Sequence, residues 1–185
     1  MSQGQTASIL YKGAGPGTHW HSNDPRAAGG FTISPMPATS NGLRRHITNY
    51  SFPSAYLSFS TSFAIARSYA LSGPSGVATP AQPGFVYEID LPAITAPPAL
   101  IDPVRDISTT SNGALAHGHD GSGALIAEIA NGTSPLSHAH QCGGAMLAPA
   151  VSQQLRALIF AIRDAEVLLG SNVLAGAVVN RHSVY

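Results

Sequence analysis

The chain has 185 residues, 44% hydrophobic but only 10% charged, with a formal net charge of zero. That length suits a single domain, 1–185, with a sizeable core. The balance excludes a broad basic field for general nucleic-acid binding, and no apolar run is long enough to cross a membrane.

Composition sets further bounds. Cys142 is the only cysteine, so no internal disulfide forms and no oxidising compartment is required. Lys12 is the only lysine, and Glu88, Glu128 and Glu166 are the only glutamates. Acid–base chemistry therefore has few candidates. The opening "MSQGQTASILYK" lacks a charged segment followed by an apolar one, so no signal peptide is visible. Export would need a leaderless route or excision from a longer toxin; otherwise the protein is expected in the cytoplasm.

In chain order, "TASILYK" (Thr6–Lys12) reads as a strand stopped by Gly13. The Gly- and Pro-rich "GAGPGTHWHSNDPRAAGG" reads as loop. Residues 34–53 are expected to stay irregular, apart from a helical turn near Leu43–Ile47. "AYLSFS" alternates as a strand does, with Tyr56, Ser58 and Ser60 on one face and Leu57 and Phe59 on the other. "TSFAIARSYALS" changes to helical spacing, with Thr61 or Ser62 as cap and Phe63, Ala66 and Ala70 on one face.

After a loop, "FVYEIDL" (Phe85–Leu91) is a strand. A Pro-rich run and a long Gly/His/Ser region follow, broken by Ala124–Ala130, which fits either strand or short helix. "SQQLRALIFAIRDA" (Ser152–Ala165) is a helix with Leu155, Ile159 and Ile162 on one side. "EVLL" (Glu166–Leu169) is a strand, 170–172 a turn, and Ala175–Asn180 a last strand. Short strands, few helices and long loops make an α+β chain, with function expected in the loops.

Four segments now stand in order: "LYKG", "SFSTS", "VYEIDL" and "DAEVLL". From Ile9 to Val179 this order resembles the ADP-ribosyltransferase family, in particular its cholera-toxin-like branch. That branch carries an aromatic-Arg-Gly strand, a Ser-Thr-Ser strand leading into a helix, and Glu-x-Glu before an apolar strand. The resemblance implies a split β-sandwich fold and mono-ADP-ribosyltransferase activity, with NAD as substrate and a macromolecular acceptor. It also implies a toxin or effector role, secreted or delivered into a target cell, with a delivery or immunity partner.

By the same resemblance Glu166 is the catalytic carboxylate, Ser60 orients it, and Asp164 contacts the acceptor. Lys12 holds the dinucleotide phosphates beside Tyr11 and Gly13, while Thr61, Ser62 and Phe59 line or brace the site. Two positions depart from the family pattern. Lys12 stands where Arg is usual, so Arg44 or Arg45 is an alternative phosphate clamp. Asp164 stands where Glu or Gln is usual, which leaves acceptor choice open. Two further functions therefore stand beside the first: an NAD glycohydrolase on the same scaffold, and a degenerate scaffold serving as a binding module.

The chemistry suits these residue types. Cleaving the nicotinamide–ribose bond builds positive charge on the sugar, which a carboxylate stabilises. Of the histidines, His117, His119, His138 and His140, with Cys142 two residues after the last, form a set that could hold zinc. They lack a tight metal motif and sit in Gly/Ser loop, so the expectation is polar loop histidines and no metal. Taken singly, Ser60–Ser62 read as a helix cap, Lys12 as a solvated strand end and Glu166 as a capping or salt-bridging residue.

Overall fold

The computed structural model describes residues 9–49, 53–93, 100–110, 141–142, 145–146 and 149–185. The fold is mixed α/β, mostly antiparallel, with few helices. The chain divides into two compact units. The first comprises Met1–Ile33, Leu57–Leu100 and Val167–Tyr185; the second comprises Ser34–Tyr56 and Ile101–Glu166.

Strand β1 (Ile9–Ala14) is central to the first unit. It pairs antiparallel with β6 (Gly84–Asp90), from Ile9 opposite Asp90 to Ala14 opposite Phe85. On its other side, Tyr11 is in register with Ser60 of β3 (Leu57–Ser60). Strand β12 (Val178–Val184) covers the outer edge of β6, with an irregularity between Val178 and Asn180. With β10 (Glu166–Leu169) and β7 (Leu100–Ile101), the sheet order is β12-β6-β1-β3-β10-β7.

Alternation gives this sheet two faces. Leu10, Leu57, Phe59, Tyr87, Ile89 and Leu169 line one face and join the main core. The segment after β1, read as plain loop, folds over that face. It forms a short helix α1 (His19–Ser22) and a strand β2 (Gly30–Phe31), which pairs with β11 (Val173–Leu174). Phe31 is fully buried and takes Trp20, Phe59 and Tyr87 edge-on, with ring centroids 4.9, 5.5 and 5.7 Å away. Such geometry suits the ring quadrupoles.

The Tyr87 hydroxyl donates to the Trp20 carbonyl at 2.8 Å, which anchors the covering segment. Burial raises the Tyr87 phenol above its ordinary value. Tyr87→Phe leaves the Trp20 carbonyl without this partner, and we expect it to cost about 1–3 kcal/mol in urea unfolding.

Asp24 ties the same segment to β12. Its carboxylate accepts from Arg26 at 2.7 Å and from Arg181 at 2.9 Å. The Arg26 hydrogen bond is the main reason Asp24 titrates below the ordinary carboxylate range. A depressed native value contributes stability above the unfolded value of about 3.9, which is lost as the pH falls through the native value. Wild type should therefore exceed Asp24→Asn at neutral pH, by under about 1 kcal/mol for so exposed a network. Unfolding curves collected down the pH scale should show that gap closing below about pH 4.

Helix α3 (Phe63–Ala70) lies on the opposite face, where Ala66 and Ala70 pack on Val86 and Val184. The approach is very close. A Cβ on Gly13 would overlap the Ala66 carbonyl oxygen, and one on Gly84 would overlap that of Ala70. Between α3 and β6, Ser72–Gly73 (β4) pairs with Gly76–Val77 (β5).

The second unit packs three helices: α2 (Ser40–Asn49), α4 (Pro103–Thr110) and α5 (Pro149–Arg163). Helix α2 is ten residues, where a single turn was expected; Leu43 and Ile47 bury one turn apart and hold it. Helix α4 was not foreseen, because a Pro at its first position and a nearby Pro-rich run read as loop. In α5, Ala157, Phe160 and Ala161 form a buried stripe and Ile159 is also buried. Ile162 falls outside that stripe and is 47% exposed, contrary to the expected face. A two-residue pair, Gln141–Cys142 (β8) with Ala145–Met146 (β9), completes the second unit. The last strand of the chain is Val178–Val184 rather than Ala175–Asn180, because Ala175–Ala177 form a 3-10 turn.

Candidate functional site

The handover from β3 to α3 accounts for each hydroxyl of the Ser-Thr-Ser cluster. Leu57 and Phe59 enter the main core, which turns Ser58 and Ser60 to the α3 side. Ser60 is a buried polar residue, 7% exposed. Its Oγ accepts the Ser62 N–H at 3.0 Å and so braces the turn. Ser62 has extended backbone, and its Oγ accepts the Ile65 N–H at 3.4 Å, which makes it the helix cap. Thr61 is exposed at the tip. Of the two capping candidates, Ser62 takes the role, and Ser60 is the hydroxyl held beneath it.

Glu88, Tyr11 and Ser60 share one cross-strand row, since Tyr11 is in register with both of the others. Lys12 lies on the other face with Leu10 and Ala14. Its Nζ donates to the Ser58 carbonyl at 2.7 Å and stands 5.4 Å from the centre of the Phe59 ring. Phe59 itself is 3% exposed, within the core. Gly13 serves the approach of α3. The sheet thus gathers Tyr11 and Ser60 on one face, and Lys12 and Phe59 on the opposite one.

Glu166 is half-buried and opens β10, after Ala165 adopts the left-handed region at φ 44° to leave α5. In the sheet order β10 is the neighbour of β3. Asp164 is gripped by a planar fork: Arg163 Nε donates to Oδ1 at 2.7 Å and Nη2 to Oδ2 at 2.8 Å. The Arg163 guanidinium in turn lies 4.6 Å from the centre of the Phe160 ring. Arg44 is half-buried and Arg45 exposed, both on α2.

Among the described residues no group of three metal-ligating side chains converges. His117, His119, His138 and His140 lie outside the described residues, as does Ala124–Ala130.

Sequence reasoning missed one polar pair. Glu88 Oε2 lies 3.0 Å from His182 Nε2, 94 positions away in the chain. The available signal was Glu88 itself, a scarce glutamate in the otherwise apolar "FVYEIDL", directed by alternation to the face of Val86.

No family model, curated protein or solved structure gives a significant match to this chain.

Proposed function

We propose that this chain is an NAD-dependent mono-ADP-ribosyltransferase, on an ADP-ribosyltransferase-like split β-sandwich, acting as a delivered toxin or effector. The observation that carries the reading is the sheet order. Strand β10, which opens with Glu166, neighbours β3, which ends in the buried Ser60. Buried hydroxyls that brace a turn make rigid supports for a reacting group.

In the reaction, the bond between nicotinamide nitrogen and ribose C1′ breaks. Its electron pair goes to the ring nitrogen, which leaves as neutral nicotinamide. An acceptor nucleophile bonds to C1′ and gives up its proton. Glu166 stabilises the positive charge on the sugar as that bond lengthens, and Ser60 fixes the carboxylate side of the pocket. Lys12, on the sheet face opposite Ser60 and donating to the Ser58 carbonyl, is poorly placed to hold the phosphates in the same pocket.

A second reading, NAD glycohydrolase, draws support from Asp164. With both its oxygens held by Arg163, this carboxylate is poorly disposed to receive an acceptor group. Water then replaces the macromolecule as nucleophile. Incubation with labelled NAD separates the two. Label transferred to acceptors in a cell lysate marks a transferase. Free ADP-ribose formed at the same rate in plain buffer marks a hydrolase. Absence of both overturns the enzyme readings and leaves the binding module.

A further inference from the structure

On the α3 side of the sheet, four side chains close a ring. Tyr11 is in register with Glu88. Glu88 Oε2 pairs with His182 Nε2 at 3.0 Å. The His182 ring meets Phe63 edge-on at 5.3 Å, and Phe63 meets Tyr11 edge-on at 5.5 Å. Two members of the ring adjoin the Ser-Thr-Ser turn. Phe63 is the first residue of α3, directly after the Ser62 cap, and Tyr11 is in register with Ser60.

We infer that His182 and Glu88 are positioning residues that fix the Ser60–Ser62 turn by clamping Phe63 over Tyr11. Phe63 is 36% exposed, and its ring meets those of Tyr11 and His182 edge-on. The side chains of His182 and Glu88 are 37% and 26% exposed, and a pair so open adds little to global stability. Its effect is local. Carboxylate-oriented imidazole keeps one ring orientation, and that orientation presents its edge geometry to Phe63. Edge-to-face ring contacts are worth a factor of about three to ten in the population that holds them. Other charged groups nearby do not substitute. Arg67, one turn further along α3, reaches the Tyr185 carbonyl at 3.4 Å, and Arg181 is engaged by Asp24.

The catalytic part of this inference rests on the proposed function; the structural part does not. Amide hydrogen exchange reads the structural part directly. The Ser62 and Ile65 amides donate to Ser60 Oγ and Ser62 Oγ, so they report on the turn. His182→Ala and Phe63→Ala should each speed exchange at these two amides by about tenfold, with the β1–β6 ladder unchanged. His182→Gln keeps an N–H donor for Glu88 but lacks the ring edge that meets Phe63, so it should exchange as fast as His182→Ala. Unaltered exchange at Ser62 and Ile65 in both alanine variants overturns the inference, whatever the enzyme does.

NAD turnover reads the catalytic part. His182→Ala should lower kcat about tenfold at unchanged KM, with His182→Gln equally impaired because it also lacks the ring. Equal kcat in wild type and His182→Ala, despite faster exchange, overturns the positioning role in catalysis. Faster exchange in a protein that does not turn over NAD at all upholds the clamp and sinks the proposed function instead.

Discussion

Glu166→Gln should lower NAD turnover by about 10²–10³-fold while leaving the fold intact, the scale seen when one charge-stabilising group is removed from a transition state. The substitution keeps shape and hydrogen-bonding capacity but removes the negative charge that the proposed function sets beside the developing sugar cation. The loss should fall on kcat rather than KM, because the charge forms only as the nicotinamide bond lengthens. Ser60→Ala should be milder, about tenfold, since under the proposed function its hydroxyl acts through the carboxylate rather than on the substrate. It should also loosen the turn, because the Ser62 N–H loses its acceptor. A Glu166→Gln protein with wild-type kcat would remove this residue from the chemistry.

Gly84→Val should destabilise the protein by about 3 kcal/mol or more, at the upper end for overpacking. The obstacle is the Ala70 carbonyl oxygen, where a Cβ on Gly84 would sit. Backbone in a packed helix cannot swing aside as a flexible side chain can, so α3 itself must lift from the sheet. Gly13→Val meets the Ala66 carbonyl in the same way. Because α3 begins at the Ser-Thr-Ser turn, either change should also reduce turnover in whatever fraction remains folded. Gly176→Ala is the control: nothing lies within 4 Å of its added Cβ, so its effect should stay within about 0.5 kcal/mol. Urea midpoints for the three variants beside wild type decide the matter. Equal midpoints for Gly84→Val and wild type would contradict the close packing of α3.

The periodic segments were legible in the sequence because their burial is local. "YLSFS" alternates between a core face and a helix face, and "FVYEIDL" does the same, so both strands follow from period two. Ala66 and Ala70 mark the buried side of α3 for the same reason. The glycines opposite them were not legible as packing sites. Gly13 reads as a strand stop, and only the helix placed against it by the tertiary fold gives it its role.

The candidate site divides along similar lines. Ser62 as cap follows from its place before a helical run, whereas Ser60 as the brace of the turn needed the strand register. Lys12 and Tyr11 are adjacent in sequence, and this adjacency suggested one site. In a strand, adjacency means opposite faces, and Lys12 indeed turns to the core side with Phe59. Asp164 looked free to meet an acceptor, but its neighbour Arg163 folds back upon it. The Glu88–His182 pair joins strands 94 positions apart in the sequence, and no local pattern encodes such a meeting.

Nicotinamide release from NAD by the wild-type protein, in the presence of a cell lysate, tests the account most directly. Time-dependent release in proportion to protein concentration is the predicted result. No release above the buffer blank, from protein shown to be folded by its urea transition, would contradict it.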